Sequence, residues 1–310
     1  MRSEAIHLSS EVQQALANGQ PVVALESTII AHGMPYPTNF EVAMAVEQIV
    51  RHAGAIPATL AIMDGQIRAG LSEDEIHFFA SDKNIMKAIE RDIPLVVARR
   101  AHAAVTAGSS IAIAAAAGIP VFVTGGIGGV GPMASTDFDI SSDLIALAQY
   151  PVLTVCSGTK AFMDIPATLE YLETHRVSVV TFQTEYFPLF YSRSSGVKVD
   201  WIAQTPGEVA DFMAAKLSLG AEGGLLLGVP VPEADALPVE ETRSAIDKAL
   251  AQIRVEKITG KAVTPFLLAA IKEATEGNSL AANIALIKNN ASVGAQVAVE
   301  LAKSLASQRL

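Results

Sequence analysis

Short apolar runs rich in β-branched residues recur along the chain, and longer amphipathic stretches separate them. Several of these runs are apolar at every position, which is typical of strands buried on both faces of a mostly parallel sheet. The predicted strands are Val22–Leu25, Thr59–Met63, Leu95–Ala98, Val121–Thr124, Val152–Val155, Val179–Phe182 and Gly224–Leu227. The predicted helices are Asn39–His52, Thr106–Ala117, Ser142–Gln149, Lys160–Thr174, Pro206–Leu219, Val239–Val255 and Ser279–Ser304. This alternation predicts an α/β protein, a three-layer α/β/α sandwich around a mixed, mostly parallel central sheet.

The connection from Met63 to Ile67 adds an antiparallel element to this picture. It contains Asp64-Gly65, a pair typical of two-residue hairpin turns. No low-complexity linker and no convincing internal repeat divides the sequence. We therefore expect residues 1–310 to form a single domain.

The composition excludes some classes of partner. Half of the residues are hydrophobic, 17% are charged, and the formal net charge is -10. Such an acidic chain is not expected to bind nucleic acid or an anionic membrane surface. The first eight residues contain no long apolar run, and the most apolar region, Ile111 to Val123, is interrupted by Gly118 and Pro120 before it could span a bilayer. A cytoplasmic protein is expected.

Lys160 is the first candidate for chemistry. It closes the segment Tyr150-Pro-Val-Leu-Thr-Val-Cys-Ser-Gly-Thr-Lys160, an apolar strand pattern that ends in a turn of small residues. Burial at such a strand end would disfavour the ammonium form, so the amine could attack a carbonyl carbon and form a Schiff base. An ordinary loop lysine is the alternative, and this segment alone does not decide between them.

Glu26 follows the first predicted strand directly. A carboxylate at the carboxyl end of a strand lies where open α/β sheets bind ligands, and there it could act as a general acid or base. It could equally be a glutamate that accepts hydrogen bonds from nearby loop amides. His32, beside a glycine in the following turn, is expected to satisfy only local backbone groups.

A glycine-rich segment and an acidic segment follow another predicted strand. In Thr124-Gly-Gly-Ile-Gly-Gly-Val130 the glycines let the backbone approach a ligand closely and expose amide donors suited to an anion. A tight turn without a ligand is the alternative. Downstream, Ser141 or Ser142 can cap a helix that has Asp143 in its first turn. Asp139 is not explained by capping, and its oxygen ligands would suit Mn²⁺ or Mg²⁺ with water completing the shell.

Lys87 lies in the segment Asn84 to Asp92. It could bind a phosphate as a point charge, or it could belong to the solvated face of a short helix.

Together these segments resemble the pseudouridine-5'-phosphate glycosidase family, also called the indigoidine synthase A-like family, nearly from end to end. The matching segments are Pro21-Val-Val-Ala-Leu-Glu-Ser-Thr-Ile-Ile30, His32-Gly-Met-Pro35, Thr124-Gly-Gly-Ile-Gly-Gly-Val130, Phe138-Asp-Ile-Ser141 with Asp143-Leu144, Lys160 with Leu169-Glu-Tyr-Leu-Glu173, and Thr264-Pro-Phe-Leu-Leu268.

The resemblance implies an enzyme that breaks or makes the carbon–carbon bond between C1' of ribose 5-phosphate and C5 of uracil. Lys160 would add to C1' of the opened ribose, and Glu26 would be the proton shuttle. Family membership also implies a Mn²⁺ or Mg²⁺ ion on Asp139 and a homotrimer. The implied substrate contacts are Lys87 for the phosphate, Ala107, Thr124, Ser141, Ser142, Asp143 and, more weakly, Asn283.

The sequence departs from the family pattern in two places. Gly131-Pro132-Met133-Ala134-Ser135 replaces the usual His-Arg-Gly-Ala-Glu, and Arg100-Ala-His102-Ala-Ala-Val-Thr106 replaces Gly-Lys-Asn-Gly-Ala-Thr-Thr. The first change removes side-chain hydrogen-bond donors that could contact the base, so the identity of the aglycone does not follow from the resemblance. An alternative is therefore a C-glycosynthase that joins ribose 5-phosphate to a larger aromatic acceptor, with an apolar Pro132-Met133 loop opening the pocket. A non-catalytic phosphosugar-binding protein is a third possibility.

Overall fold

The computed structural model describes residues 1–256, 258 and 263–307. Within them the strands are β1 (Ile6–Leu8), β2 (Val22–Leu25), β3 (Ile56–Met63), β4 (Gln66–Ala69), β5 (Met86–Ala88), β6 (Ala103–Val105), β7 (Val121–Val123), β8 (Leu153–Cys156), β9 (Ser178–Phe182), β10 (Trp201–Ala203) and β11 (Leu225–Gly228). The α-helices are α1 (Ser10–Ala17), α2 (Thr38–His52), α3 (Glu73–Ser81), α4 (Ile93–Ala98), α5 (Ala107–Ala117), α6 (Ala134–Asp137), α7 (Ser142–Gln149), α8 (Ile165–Thr174), α9 (Pro206–Ser218), α10 (Val239–Glu256), α11 (Val263–Ala274) and α12 (Asn278–Ser307). The expected single domain over 1–310 includes residues 257, 259–262 and 308–310, which lie outside the described ones.

One sheet contains all of these strands. Its main path is β1-β4-β3-β2-β7-β8-β11-β9-β10, and β6, which pairs with β5, branches from β3. β3 pairs with β4 and with β6 in antiparallel orientation, and the other pairings are parallel. The predicted mixed, mostly parallel sheet is therefore confirmed.

Helices cover both faces of this sheet, as the strand β2 shows. Its residues Val23 and Leu25 belong to a core that includes residues of α2, α9 and α12, whereas Val22 and Ala24 belong to a second core with residues of α1, α5 and α7. All four residues are buried. Because both faces need apolar residues, the strand has no alternation, and the α/β/α prediction holds.

The hairpin prediction is confirmed. Met63 pairs with Gln66 and Ile62 with Ile67, across a turn in which Asp64 and Gly65 both have positive φ, 51° and 74°. Two further segments differ from expectation. The segment predicted as the strand Leu95–Ala98 forms α4, with a proline in its first turn and with Ile93 and Val96, three residues apart, buried. The segment around Lys87 forms strand β5 and not a short helix.

No helix in the described ranges is long and apolar enough to cross a membrane.

Candidate active site

Three adjacent parallel strands bring the main candidates together. Glu26 follows β2 and Thr124 follows β7, while Lys160 lies four residues beyond the end of β8. All three line one cavity of about 60 Å³ at the carboxyl edge of the sheet, and Lys87 and Asn283 line the same cavity. Five of the residues predicted from sequence therefore meet at one place. Open α/β sheets bind ligands at this edge.

Glu26 is held by hydroxyl groups. Its side chain is buried, Oε2 accepts a hydrogen bond of 2.6 Å from Thr124 Oγ1, and Oε1 accepts one from Thr28 Oγ1. The sequence alternative, in which Glu26 accepts hydrogen bonds from loop amides, differs from these two bonds, which both come from threonine hydroxyl groups. The carboxylate is thus fixed in orientation at the cavity wall, and Thr28 is a partner that the sequence reasoning missed.

Lys160 lies on a loop, whereas the sequence predicted it at the start of a helix. Helix α8 begins at Ile165, where Asp164 Oδ1 accepts a hydrogen bond from the Ala167 amide. The Lys160 amide donates to the Ile127 carbonyl at 2.9 Å, so the glycine-rich segment fixes the lysine backbone. The side chain is half-buried and extends along the cavity that Glu26 lines.

The glycine-rich segment uses its glycines mainly for close packing. A Cβ atom on Gly126 would lie 2.5 Å from the Phe190 ring, and one on Gly129 would lie 2.6 Å from Thr168 Oγ1. Several of its amides already have protein acceptors: the amides of residues 127, 128 and 130 donate to Gly158 O, Asp143 Oδ2 and Thr168 Oγ1. Only Thr124, Gly125 and Gly126 of this segment line the cavity.

Asp143 bridges two parts of the fold. It is buried, and its two carboxylate oxygens accept hydrogen bonds from the amides of Gly108, at 2.7 Å, and Gly128, at 2.8 Å. Ser141 Oγ accepts from the Asp143 amide and caps α7, as predicted. Ser142 is exposed at the first position of that helix, and Ala107 is buried at the first position of α5. In the described chain, none of these four predicted contacts lines the 60 Å³ cavity.

Asp139 also lies outside the residues that line this cavity, on the exposed segment after α6. Partial burial of its carboxyl group raises the pKa of Asp139 above its ordinary value, and the negative charge of Asp137 raises it further. Among the described residues no group of three or more His, Cys, Asp or Glu side chains could hold a metal ion. A cation here would keep several waters. That fits Mn²⁺ or Mg²⁺ better than a metal that needs a complete protein ligand set.

A second cavity, of about 310 Å³, adjoins the first. The two share the lining residues His32, Gly33, Leu268 and Asn283. Pro132 and Met133, the loop pair expected to open the pocket, do not belong to the described lining of either cavity. The segment that contains them is held by a backbone hydrogen bond of 2.7 Å from the Gly131 amide to the Asp139 carbonyl.

Asn290 is a further residue that the sequence reasoning missed. It is fully buried on α12, Nδ2 donates to the Thr124 carbonyl at 2.9 Å, and Oδ1 accepts from Ser157 Oγ at 3.1 Å. It therefore connects the segment after β7 to the segment after β8. Its spacing of seven residues from Asn283, which places both on the buried and mostly apolar face of α12, was the available signal.

Comparison with known proteins gives the family. Residues 11–300 match the family described as indigoidine synthase A like protein. The chain belongs to the indigoidine synthase A-like family. A pseudouridine-5'-phosphate glycosidase from Caldanaerobacter subterraneus subsp. tengcongensis is 53% identical to this family member over 298 residues, which cover 96% of the chain and 97% of the relative. One from Staphylococcus aureus is 48% identical over 300 residues, with coverages of 97% and 98%.

Two solved structures are similar to this chain throughout. One is the prealnumycin C-glycosynthase in complex with ribulose 5-phosphate, with a TM-score of 0.90, 36% identity and coverages of 97% and 98%. The other is an indigoidine synthase A-like protein from Thermotoga maritima, with a TM-score of 0.87, 35% identity and 96% of both chains covered. The family and the fold inferred from the sequence motifs are confirmed.

Proposed function

We propose that this protein is an enzyme of C-ribosyl bonds that cleaves pseudouridine 5'-phosphate to uracil and ribose 5-phosphate, or forms it from them. The observation that carries the proposal is the meeting of Lys160, Glu26 and Lys87 in one cavity at the strand ends. Relatives named for this activity, about half identical over nearly the whole chain, support the choice of substrate.

The cavity offers a nucleophile, an acid and a phosphate partner. Glu26 gives a proton to O4' as the bond from O4' to C1' breaks and the sugar opens. Lys160 Nζ bonds to C1' and releases a proton to the Glu26 carboxylate. The C1'–C5 bond then breaks. Its electron pair goes to the base, C5 takes from Glu26 the proton that the lysine nitrogen released, and that nitrogen completes a C=N bond to C1'. Water hydrolyses this Schiff base, which returns the free lysine and ribose 5-phosphate.

Lys87 binds the 5'-phosphate in this proposal, because an ammonium group on the cavity wall can meet its charge. Asp139 would hold Mn²⁺ or Mg²⁺, which would supply positive charge. Ser141, Ser142, Asp143 and Ala107 remain proposed substrate contacts by resemblance, and the protein is proposed to act as a homotrimer.

A second candidate function is supported by the larger cavity. The C-glycosynthase neighbour shares the fold at a TM-score of 0.90. The 310 Å³ cavity, which adjoins the one that Lys160 lines, has an apolar part formed by Met34, Tyr191 and Leu280. A larger aromatic acceptor could be bound there and joined to ribose 5-phosphate by the reverse reaction.

Two measurements test the proposal. Uracil release from pseudouridine 5'-phosphate with Mn²⁺ is expected. No uracil release, together with C-ribosylation of an aromatic acceptor, would favour the second function.

Borohydride reduction in the presence of ribose 5-phosphate should attach the sugar covalently to Lys160, and peptide mass spectrometry would identify the modified residue. Lys160→Arg keeps the charge but should give no adduct and no turnover, and Glu26→Gln should lower kcat by at least about 100-fold. Binding of ribose 5-phosphate without an adduct on the wild type would leave only a phosphosugar-binding protein.

A further inference from the structure

The hydroxyl group of Thr28 holds the proposed proton shuttle from within the cavity wall. Thr28 Oγ1 donates a hydrogen bond to Glu26 Oε1, and Thr124 Oγ1 donates one of 2.6 Å to Glu26 Oε2. The three residues are at most 9% exposed, and all of them line the 60 Å³ cavity. Because each carboxylate oxygen has its own donor, the carboxylate cannot turn about its last bond without breaking both hydrogen bonds.

The backbone that carries Thr28 is itself fixed. Ser27, between Glu26 and Thr28, is fully buried, and its Oγ accepts a hydrogen bond of 2.9 Å from the Val105 amide at the end of β6. Directly after Thr28 the chain forms one π-helical turn, Ile29–Gly33. Turns of this kind are rare and frequently occur at functional sites. Thr28 is therefore a donor in a fixed place, two residues along the chain from the carboxylate that it bonds.

A hydroxyl group suits a carboxyl group that changes its protonation state. In the proposed reaction Glu26 gives a proton to the sugar, takes one from Lys160 and gives it to the base. A backbone amide can only donate, so it bonds the carboxylate well but offers nothing to the protonated acid. A threonine hydroxyl both donates and accepts, so after rotation about its C–O bond it can accept the proton of the acid.

We propose that Thr28 is a positioning residue that keeps Glu26 bonded and oriented in both of its protonation states. This inference rests on the proposed function and adds to it a second residue on which proton transfer depends. Thr28 acts through Glu26 and not on the reacting atoms. Without its hydroxyl group, Oε1 loses this bond, the carboxyl group can turn, and the geometry for proton transfer is lost for part of the time.

The other titratable groups near Glu26 stay in place when Thr28 is changed. Among the described lining residues of the 60 Å³ cavity they are His32, Lys87 and Lys160. On its opposite side Glu26 lines an apolar cavity of about 20 Å³, whose described lining contains no further titratable group. A hydroxyl group that donates to a carboxylate favours the ionised form, so loss of this donor makes protonation easier. The effect of Thr28 is therefore visible in the pH dependence of the reaction.

Thr28→Val tests the inference, because valine keeps the shape of the side chain and lacks only the hydroxyl group. kcat for uracil release from pseudouridine 5'-phosphate would be measured with Mn²⁺ as a function of pH. It is expected to fall by about 10-fold or more, while KM changes little. The limb of the pH profile that Glu26→Gln abolishes should also move to higher pH, by about 0.5 pH units or more.

Two further variants separate the hydroxyl group from the packing around it. Thr28→Ser keeps the hydroxyl group and should recover most of the loss in kcat and most of the move in pH. Thr59→Val is the matched control, because it removes a bond of 2.6 Å to Glu47, a buried carboxyl group that does not line the cavity. This control should keep the wild-type kcat and pH profile, and thermal melting checks that every variant is folded.

Three results would overturn the inference. The first is a Thr28→Val enzyme with the wild-type kcat and pH profile. The second is a fall in kcat without a move of the limb that Glu26 sets, since a general disturbance of the fold would give this result. The third is a Thr28→Ser enzyme that loses as much as Thr28→Val. Absence of uracil release by the wild type would instead refute the proposed function itself.

Discussion

Among single residues, Glu47 is a buried carboxyl group that does not line the 60 Å³ cavity. Its Oε1 accepts a hydrogen bond of 2.6 Å from Thr59 Oγ1, and only 7% of the residue is exposed. Burial raises the pKa of Glu47 above its ordinary value, while the bond from Thr59 and the charge of Arg51 oppose this shift. A carboxyl group with a raised pKa in the folded state adds stability below its unfolded pKa, and this contribution is lost as the pH rises through the folded pKa.

Glu47→Gln should therefore stabilise the protein at pH 8 relative to pH 4, because glutamine keeps the bond from Thr59 and never ionises. The difference in melting temperature, variant minus wild type, should rise from pH 4 to pH 8 by roughly 2–4 °C for each kcal/mol that ionisation costs. Differential scanning calorimetry at both pH values measures it. Glu41→Gln, on the exposed face of the same helix, is the control. A difference that stays flat or falls with pH would contradict the assignment.

Asp139 carries the proposed metal dependence. Because it would be the protein ligand while water fills most of the shell, chelation should be easy and reversible. Treatment with EDTA is expected to abolish uracil release and Mn²⁺ to restore it, and Asp139→Asn should raise the Mn²⁺ concentration needed by at least about 10-fold. The exposed Asp247→Asn is the matched control for loss of one surface charge. Full activity in EDTA would remove the metal from the proposal.

At the scale of elements, α12 does more than cover the sheet. Through Asn290 it joins the carbonyl of Thr124, whose hydroxyl holds Glu26, to the hydroxyl of Ser157, which lies three residues before Lys160. The helix is therefore positioned to set the separation between the proposed proton shuttle and the proposed nucleophile. Asn290 is a positioning residue, since it lies behind the cavity wall.

Asn290→Asp tests this role with little change in volume. The variant can still accept from Ser157, but it loses the donor to Thr124 and brings a negative charge towards that carbonyl. kcat should fall by about 10-fold or more while KM changes by less than about threefold, because the groups remain present but are misaligned. Asn289→Ala, which removes a side-chain bond to the Pro230 carbonyl one position away, should leave kcat nearly unchanged. Equal losses in both variants would indicate only a general effect on the helix.

At the scale of the whole molecule, the proposed homotrimer agrees with the exposure of large apolar groups. Phe138, next to Asp139, is 81% exposed, and Trp201 is 65% exposed. Light scattering coupled to size-exclusion chromatography should give the mass of three chains. The mass of one chain at assay concentrations would refute the trimer.

The sequence by itself determined the layers and the location of the candidate chemistry. Unbroken apolar runs such as Val22–Leu25 predict a strand that is buried on both faces, because each of its residues must then be apolar. Glu26 follows this run directly, so its position at the end of a strand was also predictable. The motifs around Glu26 and Lys160 also identified the family, because long unusual segments are conspicuous in sequence. The hairpin at Asp64-Gly65 was predictable because its turn needs residues that accept positive φ.

Other features depended on contacts between distant segments, which no local pattern records. Leu95–Ala98 has strand-like composition but becomes α4, since burial of Ile93 and Val96 and a proline in the first turn favour the helix. From the sequence, Asp143 is explained by its place in the first turn of a helix. In the structure its two carboxylate oxygens accept hydrogen bonds from the amides of Gly108 and Gly128, which are 35 and 15 residues away. Among the described residues, His32 Nε2 and Asn283 Oδ1 have no hydrogen-bond partner, and the fold brings these two residues, 251 positions apart, to one cavity. Tertiary packing alone decides which polar groups are satisfied inside the chain and which are left for a ligand.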